Sequence, residues 1–99
     1  WFDYNKSYRL VAQAIANSLP PDHGCLAERG LNATQLASLS YFVAIEPVAE
    51  SSKAGQACNW LLVVGDKRRE LAAPNSSWIK VWEGNRPGDR KETFRLLRR

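Results

Sequence analysis

Methionine is absent from these 99 residues, histidine occurs once and cysteine twice. That scarcity works against a zinc or iron–sulfur framework: Cys25 and Cys58 fit no CxxC pattern, and His23 alone does not complete a metal site with them. Counting leaves two readings of the cysteines open, a single bridge or two buried thiols. A bridge would close a loop of about 33 residues, worth on the order of 3 to 4 kcal/mol through unfolded-chain entropy. Long hydrophobic runs are also missing. The longest, Tyr41 to Ile45 and Trp60 to Val64, fall far short of the roughly 18 to 20 residues that cross a bilayer. Net charge is only +4, where a dedicated nucleic-acid binder shows a strong basic stripe. No serine lies in a nucleophile-elbow sequence. Asp22 and Glu28 make no recognisable acid pair beside His23, and Gly84 to Gly88 lacks the lysine-serine ending and following helix of a phosphate loop. The sequons at Asn32 and Asn75 are common by chance. The chain starts at Trp1 with no methionine or signal peptide, and it is expected to be a piece of a longer polypeptide.

What is present suits one small globular domain over residues 1–99. Hydrophobic residues make up 44% and charged ones 24%, with four tryptophans, three tyrosines and three phenylalanines. Tyr8, Val11, Ala12, Ile15 and Leu19 recur at helical spacing, with Lys6, Arg9, Gln13 and Asn17 opposite. Asp3 or Asn5 can cap this helix, and Pro20-Pro21 forbids its continuation. Trp1 and Tyr4, just ahead of it, would touch a membrane surface or pack on the domain. "CLAERGL" reads as a short strand, edge or inner. Asn32 to Gln35 is a capping box, which predicts a second helix using Leu36, Leu39 and Tyr41 to Val43 and ending near residue 43. Residues 47 to 56 read as a surface loop. "CNWLLVVGD" reads as a central strand covered on both faces, and "KRRELAAPNSS" as a charged connection.

The last 22 residues predict a hairpin. Ile79 and Val81 alternate with Trp78, Lys80 and Trp82, and Phe94 and Leu96 with Arg95 and Leu97. Arg86-Pro87-Gly88-Asp89 between them fits a type II turn. The expected fold is therefore α+β, in the order α-β-α-β-β-β, with two helices on a small, largely antiparallel mixed sheet. The basic excess around the turn admits three partners: nucleic acid stacked on Trp78, Trp82 and Phe94, an anionic membrane surface, or solvent alone. The nucleic-acid alternative is the weaker of the two binding readings, because the RRM signature is missing and a thin core needs those aromatics. Arg86, Arg90 and Lys91 are the candidate contacts for a lipid headgroup or another anion.

"YRLVAQAIANSLP", "CLAERGLNATQLASLSYF", "CNWLLVVG" and "WIKVWEGNRPGDRKETFRLLRR" together resemble the C-terminal extracytoplasmic domain of bacterial dolichyl-phosphate-mannose protein mannosyltransferase-like membrane glycosyltransferases, relatives of the aminoarabinose transferase of lipid A modification. The likeness runs over nearly the whole chain, and "RPGDRKETFRLLRR" is its most distinctive part. It implies a polytopic parent that moves a sugar from a polyprenyl-phosphate carrier to a periplasmic acceptor. Catalytic carboxylates in that family lie in the membrane part and match no position here, so the resemblance implies no catalytic residue, metal or cofactor in this domain. The implied partner is the transmembrane part of the same chain, with anionic lipid or a lipid-phosphate sugar as a further contact, and a monomer as an isolated piece. Location at the periplasmic face of the inner membrane implies an oxidising environment, and with it a Cys25–Cys58 disulfide. The alternative is a small basic binding module without enzymatic role.

Overall fold

A computed structural model describes residues 4–85 and 92–99. Along the chain run α1 (Tyr4–Ser18), β1 (Leu26–Arg29), α2 (Ala33–Val43), β2 (Val48–Ala49), α3 (Lys53–Gln56), β3 (Trp60–Gly65), a 3₁₀ turn (Arg68–Glu70), β4 (Ile79–Asn85) and β5 (Thr93–Arg98). The five strands form one mixed sheet in the order β2-β1-β3-β5-β4. β1 pairs in parallel with β2 and with β3, while β5 runs antiparallel to both β3 and β4. The α+β class and the closing hairpin agree with expectation. The arginine-rich turn does not enter the description: Arg86, Arg90 and Lys91, with Pro87 and Gly88, lie outside the described residues.

The element order is fuller than the pattern predicted, because residues 47 to 56 are not a plain loop. They hold β2, which extends the sheet beside β1, and the single turn of α3. Ser52 caps that turn by accepting the Gly55 N–H at 2.9 Å, while its own hydroxyl donates to the Ala49 carbonyl at 2.7 Å. Elements of two and four residues are too short to show any periodicity.

Side-chain alternation along β3 builds two cores. Leu62 and Val64 face one side with Leu26, Phe94 and Leu96, where α1 supplies Tyr8, Val11, Ala12 and Ile15, the turn just after it Leu19, and α2 Leu39. Leu61 and Val63 face the other with Ala27, Leu97 and Cys58, under a lid made by Leu71. Leu61, Leu62 and Val63 are completely enclosed, as a strand covered on both faces should be. The chain thus closes both layers with its own residues. Its radius of gyration, 12.7 Å, is the value of about 12.6 Å expected for an independent domain of this length.

α2 begins and ends as a helix with good local signals. Asn32 Oδ1 accepts the Gln35 N–H and Gln35 Oε1 accepts the Asn32 N–H, both at 2.8 Å, completing the capping box. Gln35 and Leu39 lie one turn apart on the buried face. Tyr41, expected in the core, instead lies 84% exposed. Two residues past Leu39 the helix has turned about 200°, so Tyr41 sits nearly opposite the buried stripe. Ala44 then stops the helix in the left-handed region (φ 56°), with Ala44 N–H donating to Ser40 O and Ile45 N–H to Leu39 O. Glycine is the usual residue there, since a Cβ in that conformation costs roughly 1 to 2 kcal/mol. Ala44→Gly is expected to stabilise the chain by about 0.5 to 1 kcal/mol after the added unfolded-state entropy. Thermal unfolding should show a midpoint a few degrees higher.

Candidate functional site

Two arginines fasten a loop over the second core and so shape a sizeable cleft with charged walls. Arg29, at the end of β1, donates through Nη2 to the carbonyls of Glu70 and Ala72, and its Nη1 lies 3.4 Å from Glu50 Oε2. Arg95, on β5, donates through Nη1 to the carbonyl between them, that of Leu71, at 3.3 Å. Three successive carbonyls are thereby held by guanidinium groups from both sides, which presses Leu71 onto the sheet. The chain beyond Leu71 is then led across the sheet face as the segment 72–78.

Between that segment, α3 and the sheet lies a cleft of about 370 Å³, near the low end of the roughly 300 to 1,000 Å³ usual for small-molecule sites. Ala27 and Leu61 form its apolar base, and Pro74 and Trp78 one wall. Arg29, Glu50, Gln56, Asn75 and Arg99 complete the lining. The Arg99 guanidinium lies over the Trp78 indole, 4.8 Å from the ring centroid. Its backbone N–H continues the β3–β5 ladder by donating to Asn59 O at 3.0 Å, and Nη2 donates to Gln56 O. The ring and the guanidinium meet because Ile79 pairs with Arg98, placing Trp78 and Arg99 one step further out at the same end of the hairpin.

A bulge in β4 puts Trp78 on this face. Lys80 pairs with Leu97 and Trp82 with Leu96, so Val81 is an extra residue between them. One inserted residue reverses the two-residue alternation: Trp78 joins the Leu71 side and Trp82 the α1 side. Phe94 is buried. The three aromatics considered for base stacking therefore share no open face, which removes the stacking platform that the strand alternation suggested.

Cys25 and Cys58 are joined by a disulfide, with Cα atoms 5.3 Å apart. They stand just ahead of β1 and β3, at the entry to the parallel pair. Cys58 also follows α3 directly, so the bridge braces the helix that carries Gln56 to the cleft. His23 sits in the turn after α1, its N–H donating to Pro20 O at 3.1 Å, away from the residues that line this cleft. Among the described residues no group of three or more His, Cys, Asp or Glu side chains could hold a metal ion. Also among them, no helix is long and apolar enough to cross a membrane.

On the far side of the loop clasp, Arg95 also pairs with Glu83 across the hairpin, Nε and Nη2 lying 2.8 and 2.7 Å from Oε1. That hydrogen bond, aided by the Arg95 and Lys80 charges, holds the Glu83 carboxyl below its ordinary value of 4.5. A carboxylate with a lowered folded pKa contributes stability above its unfolded pKa and loses it as pH falls through the folded one. Glu83→Gln is expected to cost less than about 1 kcal/mol at neutral pH, since the pair is half exposed. The difference from the parent chain should vanish in acid, as read by urea unfolding across the carboxylate range.

Of the cleft residues the sequence marks only Trp78, as a stacking aromatic, and Asn75, as a sequon, and neither for this site. Arg29 and Glu50 stand 21 positions apart in unremarkable contexts, and nothing local marks Arg99 as Trp78's partner; the basic clustering drew attention to the hairpin tip instead. No protein-family model, curated protein or solved structure matches this chain.

Proposed function

We propose that this chain is the C-terminal extracytoplasmic domain of a bacterial membrane glycosyltransferase that moves a sugar from a polyprenyl-phosphate donor to a periplasmic acceptor. The observation that carries the reading is the Cys25–Cys58 disulfide. It suits an oxidising compartment, the one that the resemblance of "RPGDRKETFRLLRR" and the helix and strand segments implies. In this reading the domain caps the membrane part and helps shape the acceptor entrance, while the reacting groups reside in that membrane part. Arg86, Arg90 and Lys91 would contact lipid headgroups or the phosphate of the lipid-linked substrate.

The test is the full gene product. Its sequence ahead of Trp1 is expected to carry repeated apolar spans of roughly 20 residues each. Deleting residues 1–99 from it is expected to lower sugar transfer without removing the membrane part. An upstream sequence without such spans would overturn the reading, as would two free thiols in protein purified under oxidising conditions.

A further inference from the structure

We infer that the cleft between α3, the segment 72–78 and the sheet binds an acidic saccharide, a sugar ring bearing one carboxylate or phosphate group. The charge arithmetic of the lining comes first. Arg29 is held at its tip: Nη2 serves two carbonyls and Nη1 faces Glu50, so these two charges balance each other, while its Nε is buried without a partner among the described residues. Among the described residues Arg99 has no carboxylate partner, and of its side-chain nitrogens only Nη2 is engaged, by the Gln56 carbonyl. A guanidinium carries five N–H donors, which leaves Arg99 able to receive one anionic group in a paired, planar contact. Its position over Trp78, 4.8 Å from the ring centroid, places that contact beside the indole.

The rest of the lining suits a polyol rather than a bare anion. Pro74 and Trp78 give an apolar wall of the sort that the C–H face of a pyranose covers, above Ala27 and Leu61, which the fold already encloses. The Gln56 and Asn75 carboxamides and the second oxygen of Glu50 supply both donors and acceptors, as hydroxyl groups require. Asn75 Oδ1 accepts the Ser77 N–H at 2.8 Å, which orients the amide and leaves its NH₂ to donate. An apolar ligand would cover the open donors of Arg99 without pairing them, which a polar site penalises. Inorganic phosphate would leave most of 370 Å³ and its apolar wall uncovered.

This inference stands on the cleft alone. A parent chain without membrane spans would remove the glycosyltransferase reading and leave the cleft standing, and a cleft that fails to bind would leave that reading standing. The test titrates the oxidised 99-residue chain, followed by amide and indole N–H shifts, with galacturonate, glucose 1-phosphate, glucose and inorganic phosphate. The two acidic sugars are expected to give saturable shifts at Trp78, Asn75, Gln56 and Arg99, at least tenfold tighter than glucose or phosphate. Arg99→Gln should remove that tenfold advantage while leaving the spectrum of the α1 face unchanged. Asn75→Ala, on an exposed loop where misfolding is no concern, should weaken both acidic sugars severalfold. Absence of saturable shifts at the cleft overturns the inference. So does glucose bound as tightly as galacturonate, or phosphate bound as tightly as glucose 1-phosphate.

Discussion

Breaking the Cys25–Cys58 bridge is expected to cost about 3 to 4 kcal/mol, a large share of the 5 to 15 kcal/mol typical of a domain. The bridge spans 33 positions, and the chain between them contains β1, α2, β2 and α3. That chain is the crossover which brings two parallel strands, β1 and β3, side by side. Parallel neighbours cannot be joined by a tight turn, so without the bridge the whole loop-closure entropy falls on folding. Cys58 is also 1% exposed within the second core, and replacing it would add a packing loss. Reduction isolates the entropic part better than mutation does. Urea unfolding with and without a thiol reductant should show a lower midpoint for the reduced chain. A change below about 1 kcal/mol would mean that the unfolded chain stays compact around this crossover even when reduced. The reduced chain should also lose amide protection in β1 and α3 before β3–β5, whose antiparallel pairing does not depend on the bridge.

Most of the fold was legible because long elements carry redundant signals. α1 and the residue just past it show five apolar residues at helical spacing, and all five are buried. β3 reads as an unbroken apolar run and forms the sheet's centre. At α2 the capping box named the start to the residue, and the helix stops at Val43 as expected, though alanine is a poor marker for the left-handed conformation at Ala44. What stayed hidden was short or non-local. β2 and α3 contain six residues between them and are held by neighbours such as Gly55, which lies under the Ala49 carbonyl. The bulge at Val81 is silent in the sequence, yet it decides which tryptophan faces which core. Since the cleft depends on Trp78's face, that one extra residue separates a readable hairpin from an unreadable site.

The cleft shares its construction with the second core, so its geometry follows from stability rather than from residues set aside for binding. Arg29 and Arg95 hold the carbonyls of residues 70–72, Leu71 seals the core beneath, and the disulfide steadies α3 on the opposite rim. Arg99 is free to serve a ligand because its backbone, not its side chain, finishes the ladder beside β3. Sequence reading weighed the arginines by their clustering near the hairpin tip. In the folded chain, what separates them is how many of their donors are already taken.

Gly30→Ala is expected to damage the fold at the exit of β1, where backbone conformation and close packing both demand glycine. Gly30 follows β1 with φ +90°, and a Cβ there would lie 2.4 Å from the Val64 carbonyl oxygen. Two costs add. The left-handed backbone disfavours any Cβ by roughly 1 to 2 kcal/mol, and overpacking against a well-packed neighbour costs about 1 to 3 more. The neighbour cannot move aside cheaply, because Val64 belongs to the central strand and pairs with Phe94. A loss of about 3 kcal/mol or more follows. Gly24 supplies the control: its φ is +73° but nothing lies within 4 Å of the added carbon. Gly24→Ala should therefore show only the backbone part, about 1 to 2 kcal/mol. Urea midpoints for the two variants, at unchanged m-value, should differ by the packing cost at Val64. Equal losses would show that β3 yields at that point, and the central strand would then be softer than its complete burial implies.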